Sequence, residues 1–228
     1  MSLVVADDGA GVTALVASGG AIDEVVDGRS QTLAVLVHEP GIASAFCLAA
    51  AGAWRAAEGE RLASAPDRLD RVAGVLSAHQ PAETSSTGLR ARVVLDRDHD
   101  VLLAQMLRSA QDRLVLASAQ PSAVAPPRLV ELLSRPREKR LVVSLVVGAD
   151  PVDVALANQL SGLLTAVGGQ MRKAPGVARG FVADDRAVVG SFDPLATEPY
   201  DASRGIRHVS IDLHGRQAAD TLAVLLAR

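Results

Sequence analysis

The apolar residues of the second half of the chain alternate between two spacings. Short apolar runs lie at 93–95 and 114–117, and the segment between them, 102–110, carries apolar residues every three or four positions. Such runs are typical of buried strands, and such spacing is typical of one face of a helix. The alternation continues through a helical segment near 129–133 and a run rich in β-branched residues at 141–147.

The same pattern extends to the C-terminus. Asp150-Pro151 predicts a helix start, because proline at the first helical position loses no hydrogen bond. Gly168-Gly169 predicts the end of that helix. Three further strands and a terminal helix are predicted near 178–184, 186–191, 206–213 and 218–226. Alternating strands and helices predict an α/β sandwich built on a mixed sheet.

The first 60 residues resemble the end of that unit. The tetrapeptide Val-Ala-Asp-Asp at 5–8 recurs at 182–185, and the strand at 33–38 matches the strand at 209–214. Both matches keep the same separation along the chain to within one residue, and an alanine-rich helix follows each second strand. We therefore expect a partial internal duplication.

This pattern divides the chain into three parts. They are a partial first unit at 1–60, a helix and linker at 61–90, and a complete second unit at 91–228. The polar stretch 80–88 is the clearest linker. Because the front half of the first unit is missing, we expect the chain to be the C-terminal piece of a longer protein.

Composition and charge restrict the class of protein. Hydrophobic residues make up 49% of the chain and charged residues 21%, which is ordinary for a soluble globular protein. The net charge is −3, so a nucleic-acid interface would need a local basic patch. No apolar stretch reaches the ~18 residues of a membrane span, and the N-terminus lacks the basic start of a secretory signal. These features predict a cytoplasmic protein.

Residues 176–193 carry an aspartate and a Gly-Ser pair after an apolar strand. The segment resembles the motif of the phospholipase D superfamily, His-x-Lys-x4-Asp followed by Gly-Ser-x-Asn. In that family the histidine is the nucleophile that takes up the phosphoryl group, and the lysine holds the phosphate. The aspartate orients the histidine, and the Gly-Ser pair closes the pocket. The resemblance aligns Asp184 with the aspartate, and Gly190 and Ser191 with the Gly-Ser pair.

The three remaining motif positions are changed. Val177 stands at the histidine position, Arg179 at the lysine position and Asp193 at the asparagine position. The resemblance therefore implies a phospholipase D-like α-β-α sandwich with a degenerate motif and no assignable catalytic residue. Arg179 and Ser191 are the candidates for binding an anion, since a guanidinium offers a bidentate fork to phosphate. The alternative is a salt bridge from Arg179 to Asp184 or Asp193.

The resemblance favours a catalytically inactive domain that serves as a binding or dimerisation module inside a larger protein or assembly. Its ligand is unidentified, and a phosphate-containing one fits the family. Two alternatives stay open. One is a phosphodiesterase, a nuclease or phospholipase, whose catalytic histidine and lysine lie outside this chain. The other is the ligand-sensing domain of a transcriptional regulator.

Neither a cofactor nor a metal is predicted. The Gly-x-Gly-x-x-Ala pattern at 9–14 follows an apolar strand, as in dinucleotide-binding folds. Asp8-Gly9 is a strong turn signal, however, and 12–17 reads as a strand, so a hairpin is the favoured interpretation. The five histidines lack metal-ligand spacing. Of these, His99 is predicted to lie at a solvated helix start.

One basic stretch, Arg135–Arg140, precedes a predicted central strand. Together with Arg172-Lys173 it could contact the phosphates of a nucleic acid. No aromatic residue interleaves with it, so base stacking is not available there. The favoured interpretation is a solvated loop.

Overall fold

The computed structural model describes residues 2–7, 12–18, 33–37, 40–56, 70–75, 89–133, 141–149, 153–196 and 208–227. The strands are β1 (Ser2–Asp7), β2 (Val12–Ser18), β3 (Leu33–Val37), β4 (Arg90–Leu95), β5 (Arg113–Ser118), β6 (Val142–Gly148), β7 (Gln170–Ala174), β8 (Gly180–Ala183), β9 (Arg186–Gly190) and β10 (Val209–His214). The helices are α1 (Pro40–Ala56), α2 (Asp98–Ser109), α3 (Ala125–Leu133), α4 (Val154–Ala166) and α5 (Arg216–Leu226), with a short helical segment at 70–75. The predicted linker 80–88 and basic stretch 135–140 lie outside the described residues.

Seven of the described strands form one mixed sheet in the order β4-β10-β9-β8-β5-β6-β7. β5, β6 and β7 run parallel, and the other neighbours pair antiparallel. The predicted α/β class with a mixed sheet is confirmed. β5 and β6 are buried over most of their length, as expected for parallel strands covered on both faces.

Helices cover both faces of this sheet. One face packs against α2, α3 and α4, whose buried residues include Leu102, Leu129 and Leu160. The other face packs against α1 and α5, with Phe46 and Leu222 in the same apolar cluster. The result is an α-β-α sandwich, and it places the loops after β5 and β9 at one end of the sheet.

The strands β1, β2 and β3 form a separate three-stranded antiparallel sheet in that order. The hairpin predicted between the first two strands is confirmed, because Val12 of β2 pairs with Asp7 of β1. Three antiparallel strands followed by a helix also describe β8, β9, β10 and α5. The same order of elements thus occurs at both ends of the chain.

Strand β7 was not predicted. Among the strands that the structure describes, it pairs with β6 alone and forms the edge of the sheet, and Gln170, Arg172 and Lys173 are exposed. An edge strand of this kind lacks the apolar run that marks a buried strand, and charged side chains are common on edges.

The helix before β7 begins at a later residue than the sequence predicts. α4 begins at Val154, and the carboxylate of Asp153 accepts a hydrogen bond from the Ala155 N–H at 2.9 Å. Asp153 is therefore the N-cap. Asp150-Pro151, the predicted start, lies outside the described residues. At the other end Gly168 has φ +71°, the left-handed conformation in which glycine commonly ends a helix.

Candidate functional site

The β8–β9 hairpin separates the motif positions into two groups. Gly180 pairs with Val189 at the open end, and Ala183 pairs with Arg186 beside the turn. The open end carries Val177, Arg179, Gly190, Ser191 and Asp193, whereas Asp184 lies in the turn. Three steps of an antiparallel strand separate the two ends, a distance of roughly 10 Å.

Val177 occupies the position of the family's nucleophile. Its side chain is buried in the apolar cluster that α1 and α5 share with the sheet. An isopropyl group has no lone pair to attack phosphorus and no proton to give to a leaving oxygen. This position cannot carry out either chemical role.

Arg179 faces a carboxylate from its own chain. Its Nε atom lies 3.9 Å from Oδ2 of Asp193 and is buried without a hydrogen-bond partner. The Arg179 side chain is 31% exposed and that of Asp193 is 8% exposed. Of the two ion pairs expected for Arg179, the structure contains the one with Asp193.

Asp193 is held by the loop after β5. Its Oδ1 accepts hydrogen bonds from the Ser118 hydroxyl and, at 3.1 Å, from the Leu195 N–H. Its Oδ2 accepts a bond from the Gln120 N–H at 3.1 Å. This carboxylate therefore ties the end of β5 to the loop that follows β9.

Ser191, the second anion-binding candidate, bonds to the backbone of β10. Its Oγ accepts a hydrogen bond from the Val209 N–H at 2.9 Å and donates one to the Val209 carbonyl at 3.3 Å. The residue is 7% exposed. These two hydrogen bonds connect the end of β9 to β10. An anion could bind the Ser191 hydroxyl only by displacing them.

Gly190 lies where β9 and β10 approach most closely. A Cβ atom at this position would be 2.4 Å from the Val209 carbonyl oxygen and 2.5 Å from Cα of Ser210. Both atoms belong to the backbone and cannot move aside cheaply. The glycine of the Gly-Ser pair is thus explained by strand packing.

Asp184 organises the segment before β5. Its Oδ2 accepts a hydrogen bond from the Gln111 N–H at 2.9 Å, and its Oδ1 accepts bonds from the N–H groups of Asp112 and Arg113 at 2.9 and 3.0 Å. Burial alone would raise the pKa of Asp184, but these three bonds outweigh it and lower the pKa. With φ +51°, the residue also forms the tight turn. Asp184 faces this segment and not position 177, unlike the orienting aspartate of the motif.

His99 is buried, so the prediction of a solvated helix start was wrong. Its Nε2 is 2.8 Å from the Ser210 hydroxyl, its Nδ1 is 2.9 Å from the Asp96 carbonyl, and its ring stacks on Phe192 with centroids 4.7 Å apart. Burial is the main cause that lowers its pKa to about 4. The sequence signal that was missed is Ser210, a polar residue on the strand that α2 covers.

A second polar cluster was missed on β4, β9 and β10. The carboxylate of Asp212, which is fully buried, accepts hydrogen bonds from Arg92 Nε at 2.6 Å and from Arg186 Nε and Nη2 at 2.8 and 2.6 Å. Nε2 of His214 lies 3.4 Å away. Burial would raise the pKa of Asp212, but the bonds from Arg186 and Arg92 hold it below its ordinary value. Alternating Ser, Asp and His in a predicted strand is the signal that could have revealed this cluster.

Within the residues that the structure describes, no three His, Cys, Asp or Glu side chains are grouped as a metal site would require. Nor is any helix there both long and apolar enough to cross a bilayer.

Sequence comparison gives no relatives: no protein-family model matches, and no curated protein matches. Solved structures do match. Phosphatidylserine synthase from Haemophilus influenzae Rd KW20 is 10% identical with a TM-score of 0.53, and the match covers 93% of this chain and 58% of that one. The chain thus spans less than two thirds of that protein. At this identity the likeness shows the fold alone.

Two further matches have lower TM-scores. The phospholipase D family member Nuc from Salmonella typhimurium is 13% identical with a TM-score of 0.44, covering 61% of this chain and 97% of that one. The archaeal chromatin protein TrmBL2 is 12% identical with a TM-score of 0.43, covering 76% of this chain and 63% of that one. The fold of this chain is similar to that of the phosphatidylserine synthase, in agreement with the α-β-α sandwich expected from the resemblance.

Proposed function

We propose that this chain is a catalytically inactive phospholipase D-like domain that acts as a binding or dimerisation module within a larger protein or assembly. The observation that carries the proposal is the buried valine at position 177. Phosphoryl transfer through a covalent intermediate needs a nucleophile and a group that protonates the leaving oxygen. Val177 provides neither.

The surroundings of Arg179 support the same proposal. Its guanidinium would be the remaining phosphate-binding group of the motif. Asp193 lies 3.9 Å from it and is itself fixed by the Ser118 hydroxyl and two backbone N–H groups. A fixed carboxylate repels an incoming phosphate, and this opposes substrate binding at the motif.

The three-stranded sheet supports a role in association. We propose that residues 1–60 are a partial copy of the end of the second unit, with 61–90 joining it to 91–228. In the second unit β8 and β10 each pair with a further strand, β5 and β4. Among the described strands, the counterparts β1 and β3 pair only with β2. Unpaired strand edges are templates for pairing with another chain.

The test is a hydrolysis assay with bis(p-nitrophenyl) phosphate, beside the Arg179→Ala variant and a buffer blank. We expect all three to release nitrophenol at the same rate. Release by the wild type that Arg179→Ala abolishes would contradict the proposal. Light scattering over a range of concentrations tests the association role, with a dimer or larger species expected and a monomer at every concentration as the opposing result.

A further inference from the structure

Basic side chains form a row across the strands β4, β10 and β9. His214 of β10 pairs with Arg90 on one side and with Arg186 on the other. Neighbouring strands lie about 4.8 Å apart, so the three side chains arise at nearly regular intervals. The next row contains Arg92 beside Asp212. We call the three arginines around His214, which are Arg90, Arg92 and Arg186, the cationic row.

The cationic row lies on the face of the sheet that α2 partly covers. Side chains alternate along a strand, and Ile211 and Leu213 point into the cluster on the opposite face. α2 lies over the other end of these strands, where His99 bonds to Ser210. The uncovered side chains stay accessible: that of Arg92 is 58% exposed and that of His214 is 43% exposed.

The patch carries more positive charge than the neighbouring carboxylates neutralise. Among the described residues, the patch holds three arginines and one buried carboxylate, that of Asp212, which binds Arg92 and Arg186. Asp185, exposed in the neighbouring turn, is a second carboxylate close to Arg186 in the sequence. The excess stays positive with both carboxylates counted. On a chain of net charge −3, this is a local basic patch of the kind that an interface with a polyanion requires.

Asp212 also fixes the geometry of the patch. It holds Arg186 through two nitrogens and Arg92 through Nε alone, which leaves the terminal nitrogens of Arg92 for another acceptor. Ordering a long side chain is one of the costs of binding. Because the buried carboxylate already holds these guanidinium groups in place, they lose less conformational entropy when a ligand binds.

We propose that the cationic row binds the phosphate backbone of a nucleic acid without reading its sequence. The arginines of the row lie on one face of the sheet, and a nucleic-acid strand presents its phosphates in a continuous series that such a group of guanidinium groups can contact together. The row contains no residue that stacks as Phe, Tyr or Trp does, so contacts to the backbone and not to the bases are expected. The proposal goes beyond the proposed function, because it names a ligand class and a surface away from the motif.

The experiment measures binding of a fluorescent DNA duplex by anisotropy at several salt concentrations between about 50 and 200 mM. Three phosphate contacts predict a slope of log K against log salt of about −2.7, and losing one contact reduces its size by about 0.9. The main variant is Arg90→Gln, which leaves the bonds to Asp212 in place. Arg92→Gln is the second variant. Arg71→Gln, an exposed arginine of the short helical segment that packs on the opposite face of the sheet, is the matched control, and thermal melting confirms that each variant folds.

We expect Arg90→Gln and Arg92→Gln each to weaken binding about tenfold and to flatten the slope, with Arg71→Gln unchanged. Absence of duplex binding by the wild type would overturn the proposal. So would equal losses in Arg90→Gln and Arg71→Gln, which would indicate a diffuse charge effect. Binding to phosphatidylserine vesicles without binding to DNA would overturn it in favour of a lipid surface. None of these outcomes alters the expected lack of hydrolysis, so the two proposals fail separately.

Discussion

The Nε atom of Arg179 lies 3.9 Å from Oδ2 of Asp193. In the motif that this segment resembles, these positions hold a phosphate-binding lysine and an asparagine. Here the arginine faces an anion that the protein itself provides, and loop hydrogen bonds fix that anion. The pair joins the start of β8 to the loop after β9 and, at the same time, reduces the affinity expected for an external phosphate.

Asp193 is expected to matter for stability. Asp193→Ala leaves the Ser118 hydroxyl and two backbone N–H groups without their acceptor and should cost about 3–5 kcal/mol of unfolding free energy. Asp193→Asn keeps one acceptor oxygen and should cost about 1–2 kcal/mol. Urea denaturation measures both. Asp100→Ala removes an exposed partner of Arg128 and, as the control, should cost less than about 1 kcal/mol. An equally small cost for Asp193→Ala would show that the loops do not depend on this carboxylate.

We expect Asp184 to stabilise the turn between β8 and β9 and to have no part in phosphate chemistry at the motif. Asp184→Ala removes the acceptor of three N–H groups and places at φ +51° a residue that tolerates the left-handed region less well than aspartate does, so a cost of about 2 kcal/mol is expected. Asp184→Asn keeps an acceptor oxygen and tolerates the left-handed region, so it should cost about half as much. Thermal melting compares these with Asp185→Ala, the exposed neighbour. The opposite ranking of Asn and Ala would contradict the capping role.

Gly190 and Gly162 form a matched pair for testing strand packing. Gly190→Ala would place Cβ 2.4 Å from the Val209 carbonyl oxygen, and we expect a loss of at least about 3 kcal/mol or failure to fold. Gly162 lies within α4, and a Cβ atom added there would meet nothing within 4 Å beyond its own helix backbone. Gly162→Ala should therefore stabilise the chain by about 0.5–1 kcal/mol. Chemical denaturation measures both, and a neutral Gly190→Ala would rule out the close approach of β9 and β10.

His99 is expected to make stability depend on pH between about 6.5 and 4. Above this window the ring is neutral in both the folded and the unfolded chain. As the pH falls from about 6.5 to 4, His99 becomes protonated in the unfolded chain. It stays neutral in the folded chain, because burial lowers its pKa to about 4. The folded state should lose about 3 kcal/mol across the window.

The variant His99→Gln should remove most of this slope, and His214→Gln should retain it. Urea denaturation at a series of pH values provides the measurement. The carboxylates Asp184 and Asp212 have lowered pKa values, so their contribution is lost only at more acidic pH. A wild-type stability that stays flat from pH 6.5 to 4 would show that His99 is not buried as described.

The fold was largely predictable because buried elements carry periodic apolar residues. β5 and β6 are continuous apolar runs, and α2 repeats its buried leucines at helical spacing. β7 was missed for the converse reason, since its exposed polar residues resemble those of a loop. The Gly-Ser pair and Arg179 flank the open end of one hairpin, so their nearness follows from the pairing of β8 with β9.

Side-chain partners distant in sequence were not predictable in this way. His99 contacts Ser210, more than a hundred positions further along the chain, and no local pattern indicates that burial. Asp184 follows the motif spacing, yet its partners come from the segment before β5. Similarly, Asp212 lies in an apolar strand, and its two arginines come from the strands on either side.

We propose that this chain forms no phosphoryl intermediate. Intact-mass spectrometry tests this after incubation of the chain with a phosphodiester substrate and a quench under basic conditions that preserve phosphohistidine. We expect an unmodified mass at every time point. A phosphoryl group on any of the five histidines would contradict it.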